Sequence, residues 1–169
     1  MRHFELSVFD GENGLDLQAI DRPDATYDMV VCNNVIEHVR DDAKALAELM
    51  RITRPGGVVA LAFPDVLNEP RTRSWGYADP CRYGHFRVYG ADVLSLFDEA
   101  LPADVLIVVA LGLDATTGVE EPLFFLTRAT SISTAIKAAI PSAHLLKRDR
   151  SSDLLDYMNR RGHLLQAHG

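Results

Sequence analysis

Two short apolar runs enclose one amphipathic stretch in the first third of the chain, and this pattern predicts the first folding unit. Met29-Val30-Val31-Cys32 has no polar break and suits a strand covered on both faces. Residues 58–63 form a second run of the same kind. Between them Leu46, Leu49, Met50 and Thr53 fall at helical spacing. Asp41-Asp42 sets two acids at the positive end of that helix, and Arg51 and Arg54 lie near its other end. Pro55-Gly56-Gly57 is expected to stop the helix, with glycine at positive φ. Strand, helix and strand in this order make a βαβ unit with a right-handed crossover.

The pattern elsewhere is less regular. Residues 4–9 alternate loosely and predict a strand, closed by a turn cluster at residues 10–14. Residues 15–27 are polar, carry Pro23 and read as loop, whereas residues 64–90 lack any period and read as a long functional or mobile insertion. Residues 91–101 predict a helix with Val93, Leu94, Phe97 and Ala100 on one face. Residues 104–113 and 122–127 predict two strands, paired as an antiparallel hairpin across the turn-rich stretch 114–118. From Ser131 two helices are expected, interrupted by Pro141, with Ser152 capping the second.

Composition narrows the function classes. The 169 residues fit one domain, and the 47% hydrophobic and 24% charged fractions are ordinary for a globular protein. A formal net charge of -7 repels phosphate backbones, so no nucleic-acid partner is expected. No apolar run approaches a membrane span, so no membrane partner is expected either. The N-terminus has no apolar signal core, and Cys32 and Cys81 form no disulfide framework, which together suggest a reducing cytoplasm. The six histidines and two cysteines show no paired ligand spacing, so no metal site is expected.

One region is more specific. Asp16 precedes a Pro- and Asp-containing loop, which leads to Tyr27-Asp28, the apolar run at residues 29–32, Asn33-Asn34-Val35-Ile36-Glu37-His38-Val39, and a helix ending in Arg54-Pro55-Gly56-Gly57. Taken in order, these pieces resemble class I S-adenosylmethionine-dependent methyltransferases of the broad small-molecule branch. Ile36 and Thr53 stand where that family usually has leucine. The resemblance implies an α/β fold with a Rossmann-like methyltransferase sheet, N-terminally truncated, and an antiparallel C-terminal hairpin. It further implies a partial methyltransferase-like domain over residues 1–130 and a helical tail over residues 131–169.

The same resemblance assigns roles. Asp16, with Leu17 beside it, would meet the adenine of S-adenosylmethionine, since a carboxylate accepts from the adenine amino group. Asp10 competes for this contact, although the spacing to Tyr27-Asp28 favours Asp16. The alternative role for Asp16 is to cap its own loop. Asn33 and Asn34 follow the strand at the rim where open α/β sheets bind ligands; they would face the cofactor's amino-acid end, or merely turn the chain. His38 is a candidate general base, or part of a Glu37-His38 pair that packs neighbouring loops. A second element, His85-Phe86-Arg87-Val88-Tyr89, resembles a segment that closes over the active site. There His85 is a second candidate base, Arg87 a clamp for an anionic substrate, and Tyr89 and Trp75 further substrate contacts; the alternative is that His85 and Arg87 only fasten the loop.

The family's first motif, a strand turning through glycines into a helix, has no counterpart ahead of Asp16, and neither does the acid that holds the ribose. In the family's sheet the first strand lies beside the one matched by residues 29–32, so that strand is expected to carry an unpaired edge. Three explanations are open: a truncated product, a second copy or another protein covering the edge, or residues 4–9 filling the place. A homodimer is the expected outcome. The leading functional expectation is methyl transfer to a small molecule; the alternative is a non-catalytic remnant serving as a binding or assembly module.

Overall fold

A computed structural model describes residues 4–7, 14–64, 66–113, 118, 120–146 and 154. The expected βαβ unit is present. Strands β1 (Tyr27–Asn33) and β2 (Thr53–Ala62) run parallel, with Met29 opposite Val58 and Asn33 opposite Ala62. Helix α1 (Asp42–Ile52) connects them, and the Asp41 carboxylate caps it by accepting from the Lys44 backbone N–H. Leu46, Leu49 and Met50 carry the helix onto the core, as their spacing requires.

The end of α1 differs from expectation. Thr53 is already extended, and the chain passes directly from Ile52 into β2. Pro55-Gly56-Gly57 therefore lies inside the strand and does not stop the helix. Neither glycine is among the described residues with positive φ. The strand register shifts between the Tyr27–Thr53 and Met29–Val58 pairs, so these glycines sit in a bulge. A Cβ on Gly57 would stand 2.6 Å from the Asp28 carbonyl oxygen, which explains why this position lacks one.

Two further strands, β3 (Arg73–Asp79) and β4 (His85–Val88), form a separate antiparallel pair within the stretch expected to be loop. A short 3-10 turn, Pro80–Arg82, joins them, followed by Tyr83 and Gly84 at positive φ. Helix α2 (Val93–Ala100) then leads to β5 (Leu106–Leu113) and β6 (Glu120–Thr127), the expected antiparallel hairpin. Residues 114–117 and 119 of its turn lie outside the described residues. Helix α3 (Thr130–Ala139) is the first of the two helices expected in the tail. It is followed by a strand that was not expected, β7 (His144–Leu146), which pairs with β5. The expected second helix and its cap at Ser152 lie outside the described residues, apart from a helical Leu154.

The main sheet has the order β1-β2-β6-β5-β7 and is antiparallel except for the first pair. One face carries Cys32, Val59, Leu61, Phe124, Leu126, Ile107 and Val109, and these share a core with residues of α1 and α2. Phe63 sits among Tyr89, Phe97 and Phe124, with ring centroids 4.5, 6.1 and 5.8 Å away. On the other face of β1, Met29 and Val31 remain 54% and 59% exposed, so this strand is covered on one face and not on both as its unbroken apolar run suggested. Among the described residues, no strand pairs with the outer edge of β1. Residues 4–7 are not in a strand, so they do not fill that place, and residues 8 and 9 lie outside the described residues.

Candidate functional site at the carboxyl end of β1

The segment before β1 is tied to α1 by side chains. Glu48 accepts from the Ile20 backbone N–H at 2.9 Å. Arg51 donates to the carbonyls of Ile20 and Arg22 and to Asp24. At the other end of the helix, Gln18 accepts from the Asp41 backbone N–H at 3.0 Å. These bonds hold the loop carrying Asp16 beside the start of α1, at the rim reached by the carboxyl end of β1.

At that rim Asp16 is exposed. Its Oδ1 accepts from the Gln18 backbone N–H at 2.9 Å and from Gln18 Nε2 at 3.4 Å. One carboxylate oxygen is thus committed to capping the loop, which leaves the other outside those bonds. Leu17 is half-buried against the core. Asp10, the competitor for the adenine contact, lies outside the described residues. Asn33 is the last residue of β1 and is exposed, and Asn34 turns the chain at φ 53 while its N–H donates to the Ala62 carbonyl. Asparagine tolerates that left-handed backbone better than most residues.

The 3-10 turn Ile36–His38 follows. Glu37 is 1% exposed, and its Oε2 has no hydrogen-bond partner. Loss of hydration pushes its carboxyl up to about 7. His38 is exposed and meets His85 of β4 edge to face, with ring centroids 4.4 Å apart. Partial burial, and secondarily the nearby His38, lower the His85 pKa. The side-chain donor atoms of Glu37, His38 and His85 all lie within 4.8 Å of one another. The histidines show no paired ligand spacing along the chain, and His85 reaches Glu37 and His38 only through the β3–β4 hairpin.

The remaining candidates explain how the hairpin is held. Arg87 is 7% exposed and donates to the carbonyls of Val39 at 2.7 Å and Arg40 at 2.6 Å. It also lies 3.3 Å from Asp42 Oδ2. Tyr89, 1% exposed, donates its hydroxyl to the same carboxylate oxygen at 2.9 Å, and burial raises the phenol's pKa. Trp75 Nε1 donates to the His85 carbonyl at 2.9 Å. Arg87 and Tyr89 therefore latch β4 and the residues after it to the start of α1, and Trp75 steadies the strand that carries His85. The Arg87 guanidinium is thus engaged by the protein's own carbonyls and the Asp42 carboxylate, contacts that suit the fastening alternative.

The class defined by this architecture is a mixed α/β domain with polar side chains at the carboxyl rim of β1. The particular family follows from comparison. A family described as "Methyltransferase domain" matches residues 5–99, more than half of the chain, and the protein belongs to that family. An uncharacterised methyltransferase of Schizosaccharomyces pombe is 44% identical over 46 residues, which cover 27% of this chain and 16% of that protein. A protein of Mycolicibacterium smegmatis named as a probable S-adenosylmethionine-dependent methyltransferase is 42% identical over 86 residues, 50% of this chain and 32% of the relative. The chain thus spans a third or less of these relatives. An S-adenosylmethionine-dependent methyltransferase from Thermotoga maritima superposes with a TM-score of 0.45 at 14% identity, covering 67% of this chain and 61% of that one.

Proposed function

We propose that this chain takes part in S-adenosylmethionine-dependent methyl transfer to a small molecule. The observation that carries the reading is that the family match over residues 5–99 contains Asp16, Asn33-Asn34, Glu37-His38 and His85, with side-chain donor atoms of Glu37, His38 and His85 within 4.8 Å of one another. The residues fit the cofactor at two places. The uncommitted oxygen of Asp16 suits an adenine amino donor, with Leu17 as apolar support, and the amides of Asn33 and Asn34 suit the amino-acid end. When bound, the cofactor supplies an electrophilic methyl group on sulfonium.

The chain's own residues orient the acceptor and manage its proton. His85, with its pKa lowered, is neutral near neutral pH and can accept a proton from an acceptor hydroxyl or amine. His38 lies beside it as the exposed alternative. Arg87 and Tyr89 are positioning residues that keep β4 in place. The two free cysteines support a reducing, cytoplasmic setting. The open edge of β1 supports a second copy as partner.

The rival reading is that the domain serves as a binding or assembly module without catalysis. Calorimetric titration with S-adenosylhomocysteine separates the two. The expected result is saturable heat that Asp16→Ala abolishes and Asp10→Ala does not. Absence of heat at about millimolar ligand, a binding energy near 4 kcal/mol, would leave the module reading standing.

A further inference from the structure

We propose that Glu37, His38 and His85 form a binding site for one divalent first-row transition-metal ion. The inference does not depend on methyl transfer: with an ion bound, His38 and His85 would be ligands, and only the metal-free chain would keep either ring free as a base. Two imidazoles and one carboxylate make a borderline-soft donor set, suited to zinc, cobalt, iron or manganese, whereas magnesium and calcium prefer oxygen alone. The three donor atoms already lie within 4.8 Å of one another. Ligands on a single such ion sit at about 2.0–2.2 Å from it, hence roughly 3–3.5 Å apart. Closing the cluster by about an ångström needs only side-chain rotation, which the exposed His38 and half-buried His85 permit.

The buried carboxylate is the independent reason to expect a ligand. Glu37 Oε2 is removed from water and receives no hydrogen bond, although two imidazoles lie beside it. A buried acceptor left without a partner costs about 1–3 kcal/mol, and more when charged. A cation shared with the two rings removes that cost. The scaffold fixes the ligands from two directions: the turn after β1 presents Glu37 and His38, and the latch through Arg87 to the Val39 and Arg40 carbonyls presents His85. Three protein ligands leave at least one coordination position for an oxygen of water or of a bound acceptor. Binding would also cross-link β4 to the rim.

The test is titration of the chelator-treated chain with cobalt(II), followed by visible absorption, with zinc(II) as competitor. The expected result is saturation at one equivalent, bleached by zinc. Glu37→Gln, His38→Ala and His85→Ala should each weaken binding roughly a hundredfold, while His144→Ala should leave it unchanged. Because Glu37 is buried and its variant could misfold, the two histidine variants decide the matter, each checked for native circular dichroism. The proposal is overturned if no band develops at about millimolar cobalt, or if the band survives in a folded His38→Ala/His85→Ala double variant, which would place the ion on other histidines.

Discussion

Cys32 and Cys81 are the same residue in opposite surroundings. Cys81 is exposed, whereas Cys32 is 5% exposed within the core. Burial, assisted by the Glu37 carboxylate, pushes the Cys32 thiol up to about 12. Because the thiolate is the nucleophile, Cys32 should not react with iodoacetamide between about pH 7 and pH 10. Mass spectrometry of the folded protein should find one carbamidomethyl group, on Cys81, and a second only after unfolding in urea. Equal labelling of both thiols in the native state would contradict the burial of β1's inner face. Gly56 and Gly57 make a similar pair. A Cβ on Gly57 meets the Asp28 carbonyl at 2.6 Å, while one on Gly56 meets nothing within 4 Å. Gly57→Ala should cost about 1–3 kcal/mol in urea unfolding, and Gly56→Ala less than about 0.5 kcal/mol. The sequence marked both glycines as special but suggested a helix stop. Proline and glycine after a helical pattern carry the same local signal in either case, and only the strand register shows a bulge.

The central device among the elements is the latch between the hairpin and α1. Asp42, at the first position of α1, receives the Tyr89 hydroxyl and faces the Arg87 guanidinium, which also holds two carbonyls of the preceding turn. Removing Arg87 takes the donor from the buried Val39 carbonyl and the part-buried Arg40 carbonyl, so Arg87→Leu should cost about 1–3 kcal/mol. Tyr89→Phe removes one hydrogen bond and should cost about 1 kcal/mol. Thermal or urea unfolding measures both. A double-mutant cycle with Asp42→Asn should show coupling to each residue, since all three meet at one carboxylate. Additive costs would mean that the latch is not a unit. This element was half legible in advance. The residues of the His85–Tyr89 segment were singled out, but their strand was not, because β4 is only four residues long and its partner β3 packs little of its surface, so neither shows a clear alternation. In β3 only Trp75 and Asp79 are even half-buried. By contrast β1, α1, β2, α2, β5 and β6 build the core, and burial had written its period into their sequences. β7 is three residues long, too short for any period to register. The site follows the same division: Glu37 and His38 are neighbours in sequence, whereas His85 joins them only through a hairpin that hydrophobic patterning could not reveal.

At the scale of the molecule, the open question is what covers β1. Among the described strands it lies at the end of the sheet, and Met29 and Val31 on its outer face are more than half exposed, followed by Val35 at 38%. Apolar side chains beside unpaired strand hydrogen-bonding groups favour association. If a second copy is the partner, light scattering should give about twice the protomer mass of 18.7 kDa, falling towards the protomer on dilution. Val31→Lys sets a charge in the patch and should shift the equilibrium to the monomer, while its effect on protomer stability stays within about 0.5 kcal/mol because the site is exposed. Charge adds a second, opposing handle. Two protomers of net charge -7 repel each other, and raising salt from about 0.05 to 0.5 M shortens the screening length from roughly 14 to 4 Å. Apolar association against like net charge should therefore strengthen with salt, whereas an interface built on ion pairs should weaken. A wild-type chain that stays monomeric at every concentration and salt would remove the second copy from consideration and leave the edge to a different strand.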